Sequence, residues 1–374
     1  MIYFDSAATS FQKPPAVKAA MEEALETMTT PGRGGHQASM RAAETAYACR
    51  CELTEMFGIE NPEQVVFTSK ATHALNIAIK TLVPTHGKVV ISGYEHNAVT
   101  RPLDALKAEI CVARAPLFTR EDVADAFAAL IQDDVNAVIC NHVSNVFGFI
   151  QPIEQIADLC REKGIPLIID ASQSAGILPI DMGKLDAAFI AMPGHKGLHG
   201  PQGTGVLLCK EGQQVTTLME GGTGSLSLQQ EMPDFLPDRL EAGTHNMPGI
   251  AGLLAGIRFV QQYGIREICE HERKLALLAA EGLKEFSGIQ VFNETGLRNQ
   301  TGVLSLRPLE KSVEEVAEIL SKHEIAVRAG LHCAPLAHQS AQTLETGTIR
   351  LSFSPFNTPE EIYRLFAVLE TCEL

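Results

Sequence analysis

The sequence predicts an α/β protein with a mostly parallel, seven-stranded sheet covered by helices, followed by a smaller α/β C-terminal domain. Seven short runs rich in Val and Ile alternate with helix-length segments over residues 65–209, the pattern of parallel strands joined by crossover helices. Beyond residue 221 a loop rich in Gly, Ser and Gln interrupts this alternation. Because 374 residues exceed one ordinary core, we expect a large domain (16–250) and a small domain (1–15 with 251–374).

The elements of the large domain follow from the apolar runs. Helical patterns at 16–27 and 40–57 flank a Gly-rich segment, 30–39, that contains Arg33 and His36 as possible ligand contacts or as part of a surface linker. Strands are predicted at 65–68, 88–92, 110–115, 137–143, 166–170, 187–192 and 205–209. Helices at 72–82, 99–107, 120–131 and 153–163 separate most of these strands.

The small domain is predicted to follow a helix at 247–263. Its pattern is a helix at 265–286, strands at 289–292 and 302–306, a helix at 313–323, and strands at 326–328 and 348–353. Ser312 with Glu315, and Thr358 with Glu361, have the spacing of capping boxes. These pairs place helix starts at Val313 and Pro359.

Composition excludes several classes of function. A net charge of −15 disfavours nucleic acid, because phosphate binding needs a basic surface. No apolar run approaches 20 residues and no secretion signal is present, so we expect a cytoplasmic protein that does not interact with membranes. The nine cysteines lack the spacing of a disulfide framework or a metal site, and no P-loop or GxGxxG follows the first strand.

Lys196 lies on a Gly-rich turn, AMPGHKGLHGPQGTG (191–205), just after a predicted strand. A lysine fixed by such a turn can bond covalently to a cofactor aldehyde. A solvated loop lysine is the ordinary alternative, so the neighbouring residues decide. Asp170 closes the strand predicted at 166–170, and Lys196 follows the next strand. A pyridoxal phosphate site needs this pair, because a carboxylate keeps the ring nitrogen protonated and a lysine holds the aldehyde.

Other polar groups also fall at predicted strand ends, where the ligand crevice of such a sheet lies. Gln173 could donate to the ring hydroxyl, Asn145 ends another strand, and His96 could stack on the ring. Ala71 and Thr72 begin a helix whose backbone N–H groups can receive a phosphate. Each group alone also fits an ordinary turn or cap.

The ordered motifs identify a family resemblance. The chain resembles fold-type I, class V pyridoxal phosphate enzymes of the cysteine desulfurase and selenocysteine lyase group, with a compact cysteine loop. The matching segments, over nearly the whole chain, are YFDSAAT (3–9), EHNAV (95–99), HVSN (142–145), DASQ (170–173), GHKGLHGPQG (194–203), EAGTHN (241–246), RAGLHCAP (328–335) and IRLSFSPFNT (349–358).

The resemblance implies a role for each matched residue. Lys196 would hold pyridoxal 5′-phosphate, Asp170 would pair with its ring nitrogen, Gln173 would contact its ring oxygen, and His96 would stack on it. The phosphate would be bound by Ala71, Thr72, His195 and, from the partner subunit of a homodimer, Thr244. The substrate's polar groups would meet Asn145, Arg350, Arg328 and Arg33, with Arg350 as the clamp for the carboxylate.

Cys333 in RAGLHCAP matches the cysteine that attacks the substrate's sulfur and carries it as a persulfide. An electropositive site near Arg328, His332 and Lys196 could lower the pKa of a thiol there. The implied activity converts L-cysteine to L-alanine, with the sulfur passed on to an acceptor protein. Alternatives are a selenocysteine lyase acting on L-selenocysteine, another class V lyase, desulfinase, epimerase or aminotransferase, and a noncatalytic sulfur-relay scaffold.

Overall fold

The computed structural model of the chain describes residues 1–32, 34–294, 296 and 298–371. Within these ranges the strands form a seven-stranded, a four-stranded and a two-stranded sheet. None of the helices in this part of the chain is long and apolar enough to span a membrane.

The seven-stranded sheet confirms the predicted fold class. Its strands are β2 (Val65–Thr68), β3 (Lys88–Ser92), β4 (Glu109–Ala113), β5 (Ala137–Asn141), β6 (Leu167–Asp170), β7 (Phe189–Pro193) and β8 (Gly205–Cys209), in the order β2-β8-β7-β6-β5-β3-β4. Among these seven strands, β8 alone runs in the opposite direction, antiparallel to both β2 and β7. The chain between β7 and β8, residues 194–204, contains no helix, and a parallel return needs a longer crossover.

Helices cover both faces of this sheet, which explains why the strands are apolar throughout. They are α1 (Pro15–Thr27), α2 (Gln37–Phe57), α3 (Ala71–Leu82), α4 (Asn97–Ala105), α5 (Arg120–Leu130), α6 (Ile153–Lys163), α7 (Met182–Leu185) and α8 (Met247–Tyr263). On β5, Val138 and Cys140 pack in the core that contains α5 and α6. Ile139 packs in the opposite core with α3 and α4, so neighbouring residues are buried on opposite faces.

The second layer is built from α9 (Ile265–Leu283), β9 (Ile289–Phe292), β10 (Val303–Pro308), α10 (Val313–Lys322), β11 (Ile325–Ala326), β12 (Arg328–Gly330), α11 (Pro335–Ser340), β13 (Thr348–Ser352) and α12 (Pro359–Glu370). Its antiparallel sheet has the order β12-β13-β10-β9. The first strand of the chain, β1 (Ile2–Tyr3), pairs with β11. Phe4 joins the core of this layer.

Both predicted capping boxes are confirmed, at the starts of α10 and α12. Several predicted ends are wrong by a few residues: the strand predicted at 137–143 ends at Asn141, and the helix predicted at 265–286 ends at Leu283. Val143 remains buried but forms only an isolated bridge with Ile150. A run of apolar residues indicates that a segment is buried. The strand itself ends where its backbone stops pairing with the neighbouring strand.

Candidate active site

A cavity of about 280 Å³ opens at the carboxyl ends of β5 and β6. Asp170 is the last residue of β6 and is nearly buried. One of its carboxylate oxygens, Oδ1, accepts a hydrogen bond of 2.9 Å from the backbone N–H of Ser172. The cavity brings together ten residues predicted for the site: Ala71, Thr72, His96, Asn145, Asp170, Gln173, His195, Lys196, Arg328 and Arg350.

The turn that carries Lys196 depends on close backbone approaches. A Cβ atom on Gly197 would lie 2.4 Å from the carbonyl oxygen of Ala175, and one on Gly200 would lie 2.9 Å from that of Gly194. Larger residues at either position would push the turn away from its neighbours. The glycines therefore fix the backbone of the lysine while leaving its side chain free to reach the cavity.

Lys196 is half-buried and lines the cavity. Burial lowers the pKa of Lys196 to about 8, against the opposing effect of the Asp170 carboxylate, while Arg350 and Arg328 lower it further. At physiological pH the neutral fraction of this amine is thus far larger than that of an ordinary lysine, although the ammonium form still predominates. A neutral amine is the form that acts as a nucleophile or as a base.

His96 caps the N-terminus of α4. Its Nδ1 accepts a hydrogen bond of 3.0 Å from the backbone N–H of Ala98, so the proton of the neutral ring is on Nε2. Burial lowers the pKa of His96 to about 4, and Lys196 contributes in the same direction. The ring is therefore uncharged at neutral pH.

The N-terminus of α3 borders the same cavity. No side chain caps this helix, which begins at Ala71 after the extended residue Lys70. The backbone N–H groups of Ala71 and Thr72 are thus available to an anion. His195 also borders the cavity, and its Nδ1 lies 3.0 Å from the hydroxyl of Thr9. Burial lowers the pKa of His195 to about 4.

Arg350, on β13, is only 1% exposed. Its Nη2 lies 2.6 Å from Oδ1 of Asp5, and its Nη1 donates a hydrogen bond of 2.9 Å to the carbonyl oxygen of Asn145. Nε of Arg350 and Oδ1 of Asn145 have no partner. A donor and an acceptor thus remain available for a ligand. Asn145 lies in the loop after β5, not at the end of a strand as predicted.

Sequence reasoning did not single out Asp5. The residue stands in YFDSAAT, a segment used for the family resemblance, but nothing local marks its side chain as the partner of an arginine on β13. The one local sign in the sequence was that Asp5, an acidic residue, follows a short apolar segment. Its partner is 345 positions away along the chain, so only the tertiary structure identifies the pair.

Cys333 lies in an exposed turn after β12 and is the exposed one among the eight cysteines that the structure describes. His332 and Cys333 both have positive φ angles, 49° and 57°. The carbonyl oxygen of Cys333 accepts a hydrogen bond of 2.8 Å from the backbone N–H of Asn97, next to His96. Two successive residues in the left-handed region are costly and tend to occur where function constrains the backbone.

One cationic group approaches the Cys333 sulfur. Nη2 of Arg328, a residue that also lines the cavity, is 3.9 Å from Sγ. The neighbouring His332 is buried, and its Nε2 lies 3.1 Å from the carbonyl oxygen of Thr348. Burial holds the pKa of His332 far below its usual value, so it carries no positive charge. Of the cationic groups predicted around the cysteine, Arg328 makes the direct contact.

Thr244 lies apart from these groups, Gln173 already has a hydrogen-bond partner in the protein, and Arg33 lies outside the described ranges. Thr244 lines a separate cavity of about 210 Å³, with Glu241 and His245 nearby. Gln173 borders the main cavity, but its Nε2 donates a hydrogen bond of 3.0 Å to the carbonyl oxygen of Ala7. Arg33 lies outside the described residues. Within the described ranges, no group of three or more His, Cys, Asp or Glu side chains could hold a metal ion.

A second network missed by sequence reasoning supports the segment that carries Thr244. The buried carboxylate of Glu241 accepts hydrogen bonds from the Phe67 backbone N–H (2.6 Å) and from Arg50 Nη2 (2.6 Å). Its Oε2 also lies 2.6 Å from His245 Nε2. Burial alone would raise the pKa of Glu241, but the positive charge of Arg50 and the hydrogen bond to His245 hold it below its ordinary value.

Comparison with known proteins places this architecture in a family. The sequence model described as Aminotransferase class-V matches residues 2–365. The chain belongs to the class-V aminotransferase family. This membership confirms the resemblance inferred from the sequence motifs.

Several relatives are similar to this family member over almost its whole length. A probable cysteine desulfurase of Pyrococcus abyssi is 33% identical over 380 residues, which cover 99% of this chain and 94% of the relative. A probable cysteine desulfurase of Methanothermobacter thermautotrophicus is 32% identical, with the same coverage. The apo structure of a cysteine desulfurase from Thermococcus onnurineus NA1 has a TM-score of 0.89 at 30% identity, covering 99% of this chain and 94% of that chain.

Proposed function

We propose that this class-V protein is a pyridoxal phosphate-dependent cysteine desulfurase that converts L-cysteine to L-alanine and carries the sulfur on Cys333 as a persulfide. One observation carries the proposal beyond family membership. The exposed thiol of Cys333 is in contact with Arg328, and Arg328 lines the cavity that contains Lys196, Asp170 and Arg350. A nucleophilic sulfur thus lies beside a site equipped for an amino acid.

The residues of the cavity fit pyridoxal 5′-phosphate. Lys196 offers an amine for the aldehyde, Asp170 a carboxylate for the ring nitrogen, and the uncapped start of α3 offers N–H groups for the phosphate. When bound, this cofactor withdraws electrons from the substrate's Cα and so makes its proton acidic. Lys196, Asp170, Gln173, His96, Ala71, Thr72 and His195 would hold it.

The remaining groups bind the substrate and move its protons. Arg350, through its unpartnered Nε, and Asn145, through Oδ1, would hold the carboxylate and the amine-bearing end of L-cysteine. The neutral amine of Lys196 would take the proton from Cα and later return one. The uncharged ring of His96 would cover the reacting carbon atoms without adding a charge.

The sulfur transfer balances without an added oxidant or reductant. The Cys333 thiolate attacks the substrate's sulfur, so an S–S bond forms while the Cβ–S bond breaks. Cβ gains a proton in place of sulfur, which yields alanine and a persulfide on Cys333. Arg328 would stabilise the thiolate before the attack.

We also propose a cytoplasmic homodimer with shared active sites, in which Thr244 serves the phosphate of the partner subunit. Its position in a cavity separate from Lys196 supports this arrangement, because one subunit does not bring the two residues together. A protein acceptor would then take the sulfur from the exposed Cys333.

The direct test measures alanine formed from L-cysteine and from L-selenocysteine, with and without a thiol reductant. Cys333→Ala should abolish alanine formation from L-cysteine, because no other described cysteine is exposed. Cys51→Ala, at a half-buried position on α2, is the matched control and should retain the activity of the unaltered protein.

Each result has a distinct meaning. Alanine from L-selenocysteine that survives in Cys333→Ala, with little from L-cysteine in the unaltered protein, would identify a selenocysteine lyase instead. Absence of alanine from both substrates contradicts the proposal and favours a noncatalytic protein.

A further inference from the structure

A second, smaller cavity adjoins the one that holds the predicted cofactor site. It has a volume of about 40 Å³, and Lys196 and Gln173 line both cavities. Its other walls include Ser6, His199 and Glu272. We call this space the inner cavity. None of these last three residues has a role in the proposed reaction.

The inner cavity is lined by polar groups that lack partners in the protein. Neither ring nitrogen of His199, which is 2% exposed, makes a hydrogen bond, and the hydroxyl of Ser6 makes none. The rings of Phe259 and Phe356 pack edge-on against His199 and offer it no acceptor. Glu272, on α9, is nearly buried, and its carboxyl has no hydrogen bond to any described residue.

Buried polar groups rarely remain without partners. Burial holds the pKa of Glu272 well above its ordinary value and lowers that of His199 to about 4. Burial therefore favours the uncharged form of both groups, but uncharged polar groups still lose free energy when their hydrogen bonds to water are not replaced. The cavity volume of about 40 Å³ accommodates about three or four water molecules, at roughly 10–15 Å³ each.

We propose that the inner cavity is a hydration site, in which ordered water molecules join the carboxyl group of Glu272 and the ring of His199 to the amine of Lys196. Through this water, Lys196 exchanges protons with Glu272. In each exchange the carboxyl group releases one proton through the water chain to Lys196, and the ammonium group returns a different proton through the same water to the carboxylate, so neither group gains or loses a proton overall. The exchange rests on the proposed function, whereas the hydration does not.

Hydration of the inner cavity is tested on the purified full chain with two variants. Glu272→Gln preserves hydrogen bonding, whereas Glu272→Met removes it at similar length. If water fills the cavity, the methionine leaves that water without a partner, so the denaturation midpoint should fall below that of the glutamine variant. A dry cavity predicts the reverse, because methionine then removes a buried group without a partner.

A crystal structure gives a second and independent readout of hydration. Ordered water should appear within hydrogen-bonding distance of the Glu272 carboxyl group and a His199 ring nitrogen. An empty cavity, or a midpoint for Glu272→Met above that of Glu272→Gln, overturns the hydration site.

Proton exchange is tested with L-cysteine that carries deuterium at Cα, in ordinary water. If Lys196 exchanges its proton before returning it, the alanine should retain little deuterium at Cα. Glu272→Gln cannot accept or release the proton, so retention should rise severalfold. Glu270→Gln, an exposed position on the same helix, is the matched control and should match the unaltered protein.

The outcomes separate the two proposals. Equal retention in Glu272→Gln and the unaltered protein overturns the exchange with Glu272, as does high retention in the unaltered protein. If no alanine forms at all, the proposed function fails, and the stability and crystallographic results still decide whether the inner cavity is hydrated.

Discussion

At the scale of single residues, Lys196 combines two opposing requirements. Its amine must be neutral to act as a base, but it lies near the carboxylate of Asp170, which favours the charged form. Burial has the larger effect and brings the pKa to about 8, against 10.5 for an ordinary lysine. The folded protein therefore binds this proton more weakly than the unfolded chain does.

This difference predicts how stability depends on pH. Because the unfolded chain binds the proton more tightly, the free energy of unfolding of the cofactor-free protein should rise as pH increases from about 8 toward 10.5. Lys196→Met has no amine to titrate at this position, so its free energy of unfolding lacks this rise. The free energy of unfolding of the unaltered protein should therefore increase relative to that of Lys196→Met by roughly 3 kcal/mol over that range, at about 1.4 kcal/mol per pH unit between the two pKa values. Urea unfolding of both proteins at several pH values measures it. A constant difference across that range would show that burial does not lower the lysine's pKa.

Asp5 and Arg350 form the other decisive pair of single residues. The arginine is buried, and removing its acidic partner leaves a positive charge without compensation in a site with little solvent. The pair also fixes the guanidinium group, so that Nε remains the unpartnered donor.

Asp5→Ala should lower the free energy of unfolding by about 3 kcal/mol, the cost of breaking one side of a buried pair. Glu52→Ala breaks the Arg258–Glu52 pair, whose arginine is half exposed, and should cost less than about 1 kcal/mol. Equilibrium denaturation compares the two. Similar losses for both variants would mean that the buried pair adds no special stability.

At the scale of elements, Glu241 connects the segment 241–246 to β2 and α2. One carboxylate binds the backbone of Phe67 and the side chains of Arg50 and His245. Thr244 lies within this segment, so its position depends on a residue that never touches the predicted cofactor.

Glu241→Ala should destabilise the protein by about 3 kcal/mol, because Arg50 loses its buried partner. It should also accelerate hydrogen exchange at the Phe67 amide, whose acceptor is removed. Glu231→Ala, at an exposed position in the preceding loop, is the control for both measurements. Unchanged exchange at Phe67 would contradict the anchoring role.

The sequence predicted the elements better than the contacts between them. Local apolar runs and glycines were enough to predict Asp170 at the end of one strand and Lys196 in the turn after the next strand. The two-residue strands β1 and β11 are too short for a periodic pattern, and the pairs Asp5–Arg350 and Arg50–Glu241 join distant segments. Glu272 was missed despite a local signal: it stands four residues after buried Ile268, on the helical face that also buries Leu275 and Ala279.

At the scale of the whole molecule, several exposed apolar side chains lie in the part of the sequence just before Thr244. Met219 is 52% exposed, Leu228 is fully exposed and Phe235 is 42% exposed. We propose that these side chains lie at an interface with a second copy of the chain, which is the partner that the proposed shared site requires.

Leu228→Asp combined with Met219→Asp should shift the protein from dimer to monomer in sedimentation experiments. Affinity for pyridoxal phosphate, measured by absorbance titration, should fall with it, because the partner's donor is lost. Leu25→Asp, at an exposed apolar position on α1, should change neither property. A monomeric parent protein with full cofactor affinity would exclude the shared site.

The pairing of β1 with β11, and of Asp5 with Arg350, sets an order of events during synthesis. Residues 2–5 leave the ribosome long before residues 325–350. The contacts of β1 and Asp5 with this later segment therefore cannot form until it has been synthesised. Contacts this distant along the chain form late and slowly. A nascent chain can bury much of its large sheet early, but Asp5 stays without its arginine until β13 has emerged. A chain that ends before β13 therefore lacks this pair, and with it the proposed clamp for the substrate's carboxylate.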